Sequence, residues 1–299
     1  MEQNGKDFYK YYDPKTAIEH VLGRGTIKWS TPFEFNDPFD NQFELHLEEV
    51  NDQLIDNLNR KFYTRIPEML DLTPFVLRDE NNISIPSSVL KQAASKLEIG
   101  DEEKAIFREG IVESIQKLQK DFPELREVLL SQMRDTSIFC VSEVYDDILM
   151  WSHYADKHKG VAFKFLPLKE VDSPLQLAKP VNYSNDVPKI NYDAFISALP
   201  KDVDMQVRKF ISLFTLTKSK HWEYEKEWRV ISRLRNKSEL YEILPFDFKE
   251  IGAVYLGCKI TSQNEEQVLD LMKAKCPKAE IYKAQKSQTK FALEFEKIS

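Results

Sequence analysis

The sequence predicts an α+β fold, a mixed or antiparallel sheet core with a helical insertion. Two observations predict it. Short β-branched and aromatic segments that read as strands gather toward both ends of the 299 residues, whereas helical patterns fill the middle. No internal repeat or low-complexity tract breaks the sequence up, and 42% hydrophobic residues supply enough apolar surface for a core. One α+β domain spanning 1–299 is therefore expected, with 43–134 inserted as a helical region.

Each element has a local reason. Phe8-Tyr9-Lys10-Tyr11-Tyr12 reads as a first strand. Asp13-Pro14 supplies an N-cap and a first-turn proline for a helix through about residue 22, which Gly23 and Gly25 end. Residues 26–30 alternate as a second strand. Phe33, Phe35 and Phe39 then anchor a turn in which Asn36, Asp37 and Asp40 are able to bind their own backbone. In the insertion the clearest helix is 102–121, with apolar residues at Ile106, Phe107, Ile111, Ile115 and Leu118, and Pro67, Pro74, Pro86 and Pro123 punctuate the region. Beyond it come a strand at 137–142, a helix at 146–157, a strand at 160–165 and another at 176–183. A helix at 203–217 follows, then strands near 240–244, 253–256, 281–282 and 291–295, with a helix at about 265–274.

Between the 203–217 helix and these last strands lies Trp222-Glu223-Tyr224-Glu225-Lys226-Glu227-Trp228-Arg229-Val230-Ile231, whose second half reads as a strand. Alternate side chains of a strand share a face, which sets Glu223, Glu225, Glu227 and Arg229 together. Carboxylates so placed repel unless water, a cation or a reaction uses them. A solvated strand face and a carboxylate pair over a cleft both fit this pattern.

Charge and cysteines narrow the class. The net charge of −7 disfavours indiscriminate binding to nucleic acid or anionic membranes. Within 217–237, however, seven bases face three acids, a local excess that suits either a phosphate or an ordinary edge strand blunted by lysines. No apolar run reaches the length of a membrane span, and the polar first seven residues do not resemble a signal peptide, so a cytoplasmic protein is expected. Cys140, Cys258 and Cys276 form no CxxC pair.

No metal site is expected. His153, Asp156 and His158 do not converge on one helix face, and phosphate-binding glycine loops and serine nucleophile elbows are absent. Asp37, Asp40 and Glu227 would together serve a Mg²⁺-dependent nuclease if they met. Trp151 and Tyr154, three apart on a helix, are either core aromatics or a stacking platform.

Several of these segments resemble the bacterial family known as domain of unknown function 2971. They are Tyr9-Lys10-Tyr11, Phe35-Asn36-Asp37-Pro38-Phe39-Asp40, Phe139-Cys140-Val141-Ser142, Ile148 to Ala155 with Lys159-Gly160, and Trp222 to Arg229. The order of elements, ending on a strand with Glu-x-Glu, is also similar to ADP-ribosyltransferases. That second resemblance implies NAD as substrate, Glu227 as catalytic carboxylate and Glu225 as its upstream partner. It places Ser142 on the middle strand and Tyr9, Lys10 and Tyr11 on the first, though the arginine or histidine usual there and a Ser-Thr-Ser run are missing. Asn36 and Asp37 would join the cofactor site, Arg229 or Lys10 would neutralise the pyrophosphate, and Trp151 or Tyr154 would stack on a ring. The group would pass to a macromolecule, protein or nucleic acid, or to water. A metal-dependent nuclease and a non-catalytic nucleotide-sensing or partner-binding module, with Lys218 to Arg235 holding a phosphate, are the alternatives. All three would suit bacterial stress or phage defence.

Overall fold

The computed structural model describes residues 6–45, 53, 57, 101–190 and 203–298. Most of the helical patterns expected between 43 and 100, with Pro67, Pro74 and Pro86, lie outside the described residues. The chain forms two compact units, one of Met1–Gln42, Leu130–Pro188 and Ile211–Ser299, the other of Phe43–Leu129 and Lys189–Phe210.

In chain order the described elements begin with β1 (Phe8–Tyr12), α1 (Pro14–Thr16) running into a π-helical stretch (Ala17–Leu22), and β2 (Thr26–Ser30). There follow β3 (Glu44–Leu45), α2 (Asp101–Arg134), β4 (Thr136–Ser142), α3 (Ile148–Tyr154) and β5 (Val161–Phe165). Short strands β6 (Lys179–Pro180), β7 (Asn182–Ser184) and β8 (Lys189–Ile190) precede α4 (Val203–Thr215) and β9 (Thr217–Ser219). The chain closes with β10 (Glu227–Arg233), β11 (Tyr241–Pro245), β12 (Ile251–Leu256), α5 (Ser262–Lys275), β13 (Glu280–Lys286) and β14 (Leu293–Lys297).

The first unit is built on a mixed sheet, ten-stranded among the described residues, in the order β11-β2-β4-β1-β5-β12-β13-β14. The strand β10 lies on β4 and β6 on β10. Pairing is antiparallel except between β12 and β13, which α5 joins. The α+β class expected from the sequence is the class observed. In the second unit β3 pairs in parallel with β8, and Lys189 meets Glu44 at 3.3 Å.

Strand alternation sends β1 to two cores. Phe8 and Tyr12 join Phe139, Phe163 and Phe165 on one face, covered by Val21 and Leu22 and by Val268 and Met272 of α5. Tyr9 and Tyr11 join Met150 and Trp151 of α3 and Tyr255 on the other. Each large apolar side chain so buried stabilises the fold by roughly 1.5–3 kcal/mol. Gly160 closes the turn after α3 against β1. A Cβ there would stand 2.0 Å from the Tyr12 carbonyl oxygen, so no larger residue fits.

Four sequence expectations change. The helix expected at 102–121 continues to Arg134, carrying Pro123 inside it. The 146–157 helix is shorter: Asp147 caps it, accepting from the Leu149 and Met150 amides, and Asp156, Lys157 and His158 adopt positive φ beyond its end. The strand expected at 176–183 is a 3₁₀ turn (Pro174–Leu177) followed by β6 and β7. Finally, the first half of the Trp222 to Ile231 stretch is not extended. Residues Lys220–Glu225 form a 3₁₀ helix, Lys226 turns left-handed at φ 42°, and only then does β10 begin.

Candidate functional site

The strand β1 pairs with β5 along its whole length but with β4 only at Tyr9 opposite Ser142. The two strands therefore part from this point, and a pocket of about 290 Å³ opens over the sheet. Cys140 and Ser142 of β4 and Glu227 and Arg229 of β10 line it, because these alternate positions face away from Val141 and Val230 in the opposite core. The loop after β2 closes one side with Glu34, Phe35, Asn36 and Asp40, and Tyr154 of α3 and Lys218 of β9 close another.

Glu225 and Glu227 meet in this pocket, but not by strand alternation. The left-handed turn at Lys226 brings both carboxylates to one ammonium. Lys218 Nζ donates to Glu225 Oε2 at 2.5 Å and to Glu227 Oε2 at 2.9 Å. Glu223, which the strand pattern placed beside them, is exposed on the 3₁₀ helix. The Glu227 backbone is fixed on both sides. Its N–H donates to the Tyr183 hydroxyl at 2.8 Å, and its carbonyl accepts from Val181 N–H at 2.9 Å.

Arg229 lies beneath this pair with no exposed surface. Its guanidinium donates to Glu227 Oε1 and Oε2 (2.8 and 3.0 Å), to Asp40 Oδ1 and Oδ2 (3.0 and 2.6 Å) and to the Thr215 carbonyl (2.7 Å). These contacts use all five of its N–H donors, and the Phe35 ring covers it at 5.0 Å. Arg229 consequently has no donor left for a pyrophosphate. The cause is its long-range partner, Asp40, which no local spacing reveals.

The two carboxylates ionise differently. Burial alone would raise Glu227, but Arg229 and Lys218 hold it well below the usual carboxylate range. Burial also raises Glu225, and there the nearby Glu227 charge adds to burial, so that Lys218 does not bring it back down. Burial opposes the charge of Lys218, yet Glu227 and Glu225 keep it protonated. Tyr154 donates its hydroxyl to Glu225 Oε1 at 2.6 Å, and burial and that carboxylate push its own ionisation up. The pocket thus holds two adjacent carboxyls whose ionisations are pushed apart, Glu227 downward and Glu225 upward. Such divergence marks acid/base pairs in enzymes.

The remaining expected residues divide. Tyr9, Lys10, Tyr11, Asn36, Ser142 and Tyr154 all line the pocket. The Ser142 hydroxyl, however, donates to the Glu225 carbonyl at 2.6 Å and accepts from Val144 N–H at 3.0 Å, so it holds the chain in place. Asp37 binds its own turn, accepting from Phe39 N–H at 2.9 Å. Trp151 is wholly buried, and its indole N–H donates to the Tyr145 carbonyl at 2.6 Å. It is therefore a core residue, while Tyr154, on the same short helix, reaches the pocket. Lys218, Asp40, Phe35 and Cys140 were not expected together here. The one local signal was the lysine lying seven and nine residues before the two glutamates.

A nuclease would need Asp37, Asp40 and Glu227 to hold a metal. Asp40 and Glu227 do approach each other, but the Arg229 guanidinium occupies the space between them, and Asp37 stays in its turn. Among the described residues no group of three or more His, Cys, Asp or Glu side chains is arranged to hold a metal ion. A phosphate-holding basic patch is weakened too, because Lys218 and Arg229 turn inward and are neutralised. Among the described residues no helix is long and apolar enough to cross a membrane.

Fold and site together define an α+β protein with a charge-lined pocket where its sheet parts. Residues 150–230 match the family described as Protein of unknown function (DUF2971), so the resemblance expected from the sequence holds over that segment. The segment contributes Met150, Tyr154, Lys218, Glu225, Glu227 and Arg229 to the pocket. No curated protein and no solved structure matches the chain, and the likeness to ADP-ribosyltransferases gains no support from these comparisons.

Proposed function

We propose that this pocket cleaves the glycosidic bond between nicotinamide and ribose in NAD, passing the ADP-ribosyl group to a macromolecule or to water. One observation carries this reading. Tyr9, Ser142 and Glu227 stand side by side at one register level across β1, β4 and β10. That level is where the sheet parts and the carboxylates face the opening.

The pocket's residues suit the steps such a reaction needs. As the C1′–N bond breaks, its electron pair leaves with the ring nitrogen, and positive charge builds at the ribose carbon. Glu227, kept ionised by Arg229 and Lys218, offers a fixed negative group for that charge. Glu225 takes the proton from the incoming hydroxyl or water, and Tyr154 holds its carboxylate in position. Tyr9, Tyr11 and Phe35 give the walls aromatic surface. At about 290 Å³ the pocket lies near the lower limit for small ligands, roughly 300–1,000 Å³. It therefore suits the nicotinamide-ribose end of the dinucleotide better than the whole.

The test is to incubate purified protein with NAD, with and without cell lysate, and follow free nicotinamide. Release above the uncatalysed background supports the proposal. If nicotinamide is not released, it fails, whether or not calorimetry finds NAD binding.

A further inference from the structure

A second cavity, of about 550 Å³, opens in the first unit and shares no lining residue with the carboxylate pocket. The helix α3 serves both: Met150 and Tyr154 line the first, Ile148 the second. The other walls are His158 in the turn after α3, Cys258 and Lys259 beyond β12, and the β13–β14 hairpin from Lys286 to Leu293. Lys286 lies directly opposite Leu293 across that hairpin, and opposed residues share a face of a sheet. Leu293 joins the core beneath α3, so Lys286 stands on the α3 side. The turn that brings His158 to Lys259 is held firmly. Asp156, Lys157 and His158 are all left-handed, a conformation that is sterically costly for residues with a Cβ. The His158 N–H donates to the Trp151 carbonyl at 3.1 Å, and the His158 carbonyl accepts from Lys259 N–H at 2.9 Å. Gly257 allows this approach, since a Cβ there would stand 2.2 Å from the His158 oxygen.

Charge distinguishes this cavity from the rest of the chain. The net charge is −7, yet Lys259, Lys286 and Lys290 line the cavity and no aspartate or glutamate does. Lys283 and Lys297 of the same hairpin are paired with Glu265 and Glu280. The three lysines at the cavity have no carboxylate partner among the described residues. Burial and Lys259 push the ionisation of His158 down, so the positive charge is that of the lysines. Next to Lys290 the Phe291 ring is fully exposed, where it adds little to the core and leaves both faces open.

We infer that this cavity binds a polyphosphate anion, its phosphates on Lys259, Lys286 and Lys290, with Phe291 stacking on the base where a nucleoside carries them. Ammonium groups on flexible stems gather around a phosphate without a fixed geometry. Several unpaired ones in a concave wall concentrate an anion bearing several charges. An exposed aromatic ring beside such a patch is a platform for a base, because every base has a flat face. The volume lies within the roughly 300–1,000 Å³ usual for small-ligand sites. None of these residues enters the proposed glycosyl chemistry, so the two claims stand or fall separately.

Calorimetry on the full chain tests this with tripolyphosphate and adenosine triphosphate. Tripolyphosphate has no base and reports the anion site alone. Lys259→Glu/Lys290→Glu should weaken it at least about tenfold. Lys273→Glu/Lys278→Glu makes the same change in net charge on and just after α5, which covers the opposite core, and should change its affinity by less than about twofold. All four lysines are exposed, so both variants should fold. Adenosine triphosphate binding at least about tenfold more tightly than tripolyphosphate, with Phe291→Ser erasing the difference, supports a nucleotide as ligand. Equal binding of the two probes supports a bare polyphosphate chain. No binding of tripolyphosphate, or equal affinity for it in the two double variants, overturns the inference.

Discussion

Arg229 and Asp40, 189 residues apart in sequence, are joined by two hydrogen bonds of 3.0 and 2.6 Å, and neither side chain is more than 2% exposed. This pair fastens the loop after β2 to the strand that carries Glu227. It sets one wall of the pocket and fills the place a metal would need.

Removing one member of this buried ionic cluster leaves the remaining charges short of a close partner, at a cost of up to about 3–5 kcal/mol. Arg229→Met and Asp40→Ala should each destabilise the protein by about that much in denaturant titrations. The double variant should cost less than the two single effects added together, because both single variants break the same two Arg229–Asp40 hydrogen bonds.

Glu225 and Glu227 should respond unequally to the same substitution. The Glu227 carboxyl is held below its ordinary value of 4.5, so it adds stability above that pH and loses it as pH falls through the folded value. Glu225 is raised above 4.5, so its contribution is present below that pH and lost as pH rises through the folded value. At pH 7, Glu227→Gln should therefore lower stability by roughly 3–5 kcal/mol. Glu225→Gln should cost less than about 1 kcal/mol, because burial and the Glu227 charge already disfavour the ionised form that it removes. Unfolding curves of the two variants from pH 4 to pH 8 check this.

Tyr154→Phe removes the hydrogen bond that favours ionised Glu225. The carboxyl should then bind its proton more tightly, and the acid limb of the rate–pH profile should move to higher pH. Stability should fall by only about 1 kcal/mol. An unshifted limb would show that Glu225 is not the titrating group.

Ser142→Ala leaves the Glu225 carbonyl and the Val144 amide without their partner. A loss of about 1–3 kcal/mol in stability is expected. Ligand affinity in the folded variant should change little, because the hydroxyl faces the chain.

The frame of this fold was legible where local rules decide it. The strands β1 and β2 fall where their alternation places them, and Asp13 caps the first helix by accepting from Thr16 N–H at 2.9 Å. The Glu225/Glu227 pair was legible as a pair, but its geometry was not. A strand pattern cannot show that Lys226 will take φ 42° and turn the chain between them. Trp151 and Tyr154 looked equivalent because both are aromatic and three apart. Burial separates them, through the contacts of Trp151 with Tyr11 and Phe295, 5.4 and 6.0 Å between ring centres. Arg229 looked free to bind a phosphate because Asp40 lies too far away in sequence to be seen beside it. Local chemistry could be read from residue order; charge neutralisation depended on tertiary contacts.

The most direct test of the central claim is nicotinamide release from NAD by the wild type beside Glu225→Gln, both checked to be fully folded at the assay temperature. Release by the wild type should fall at least about a hundredfold in the variant, the usual contribution of a positioned general base. Equal release from both proteins, or none from either, would contradict the account.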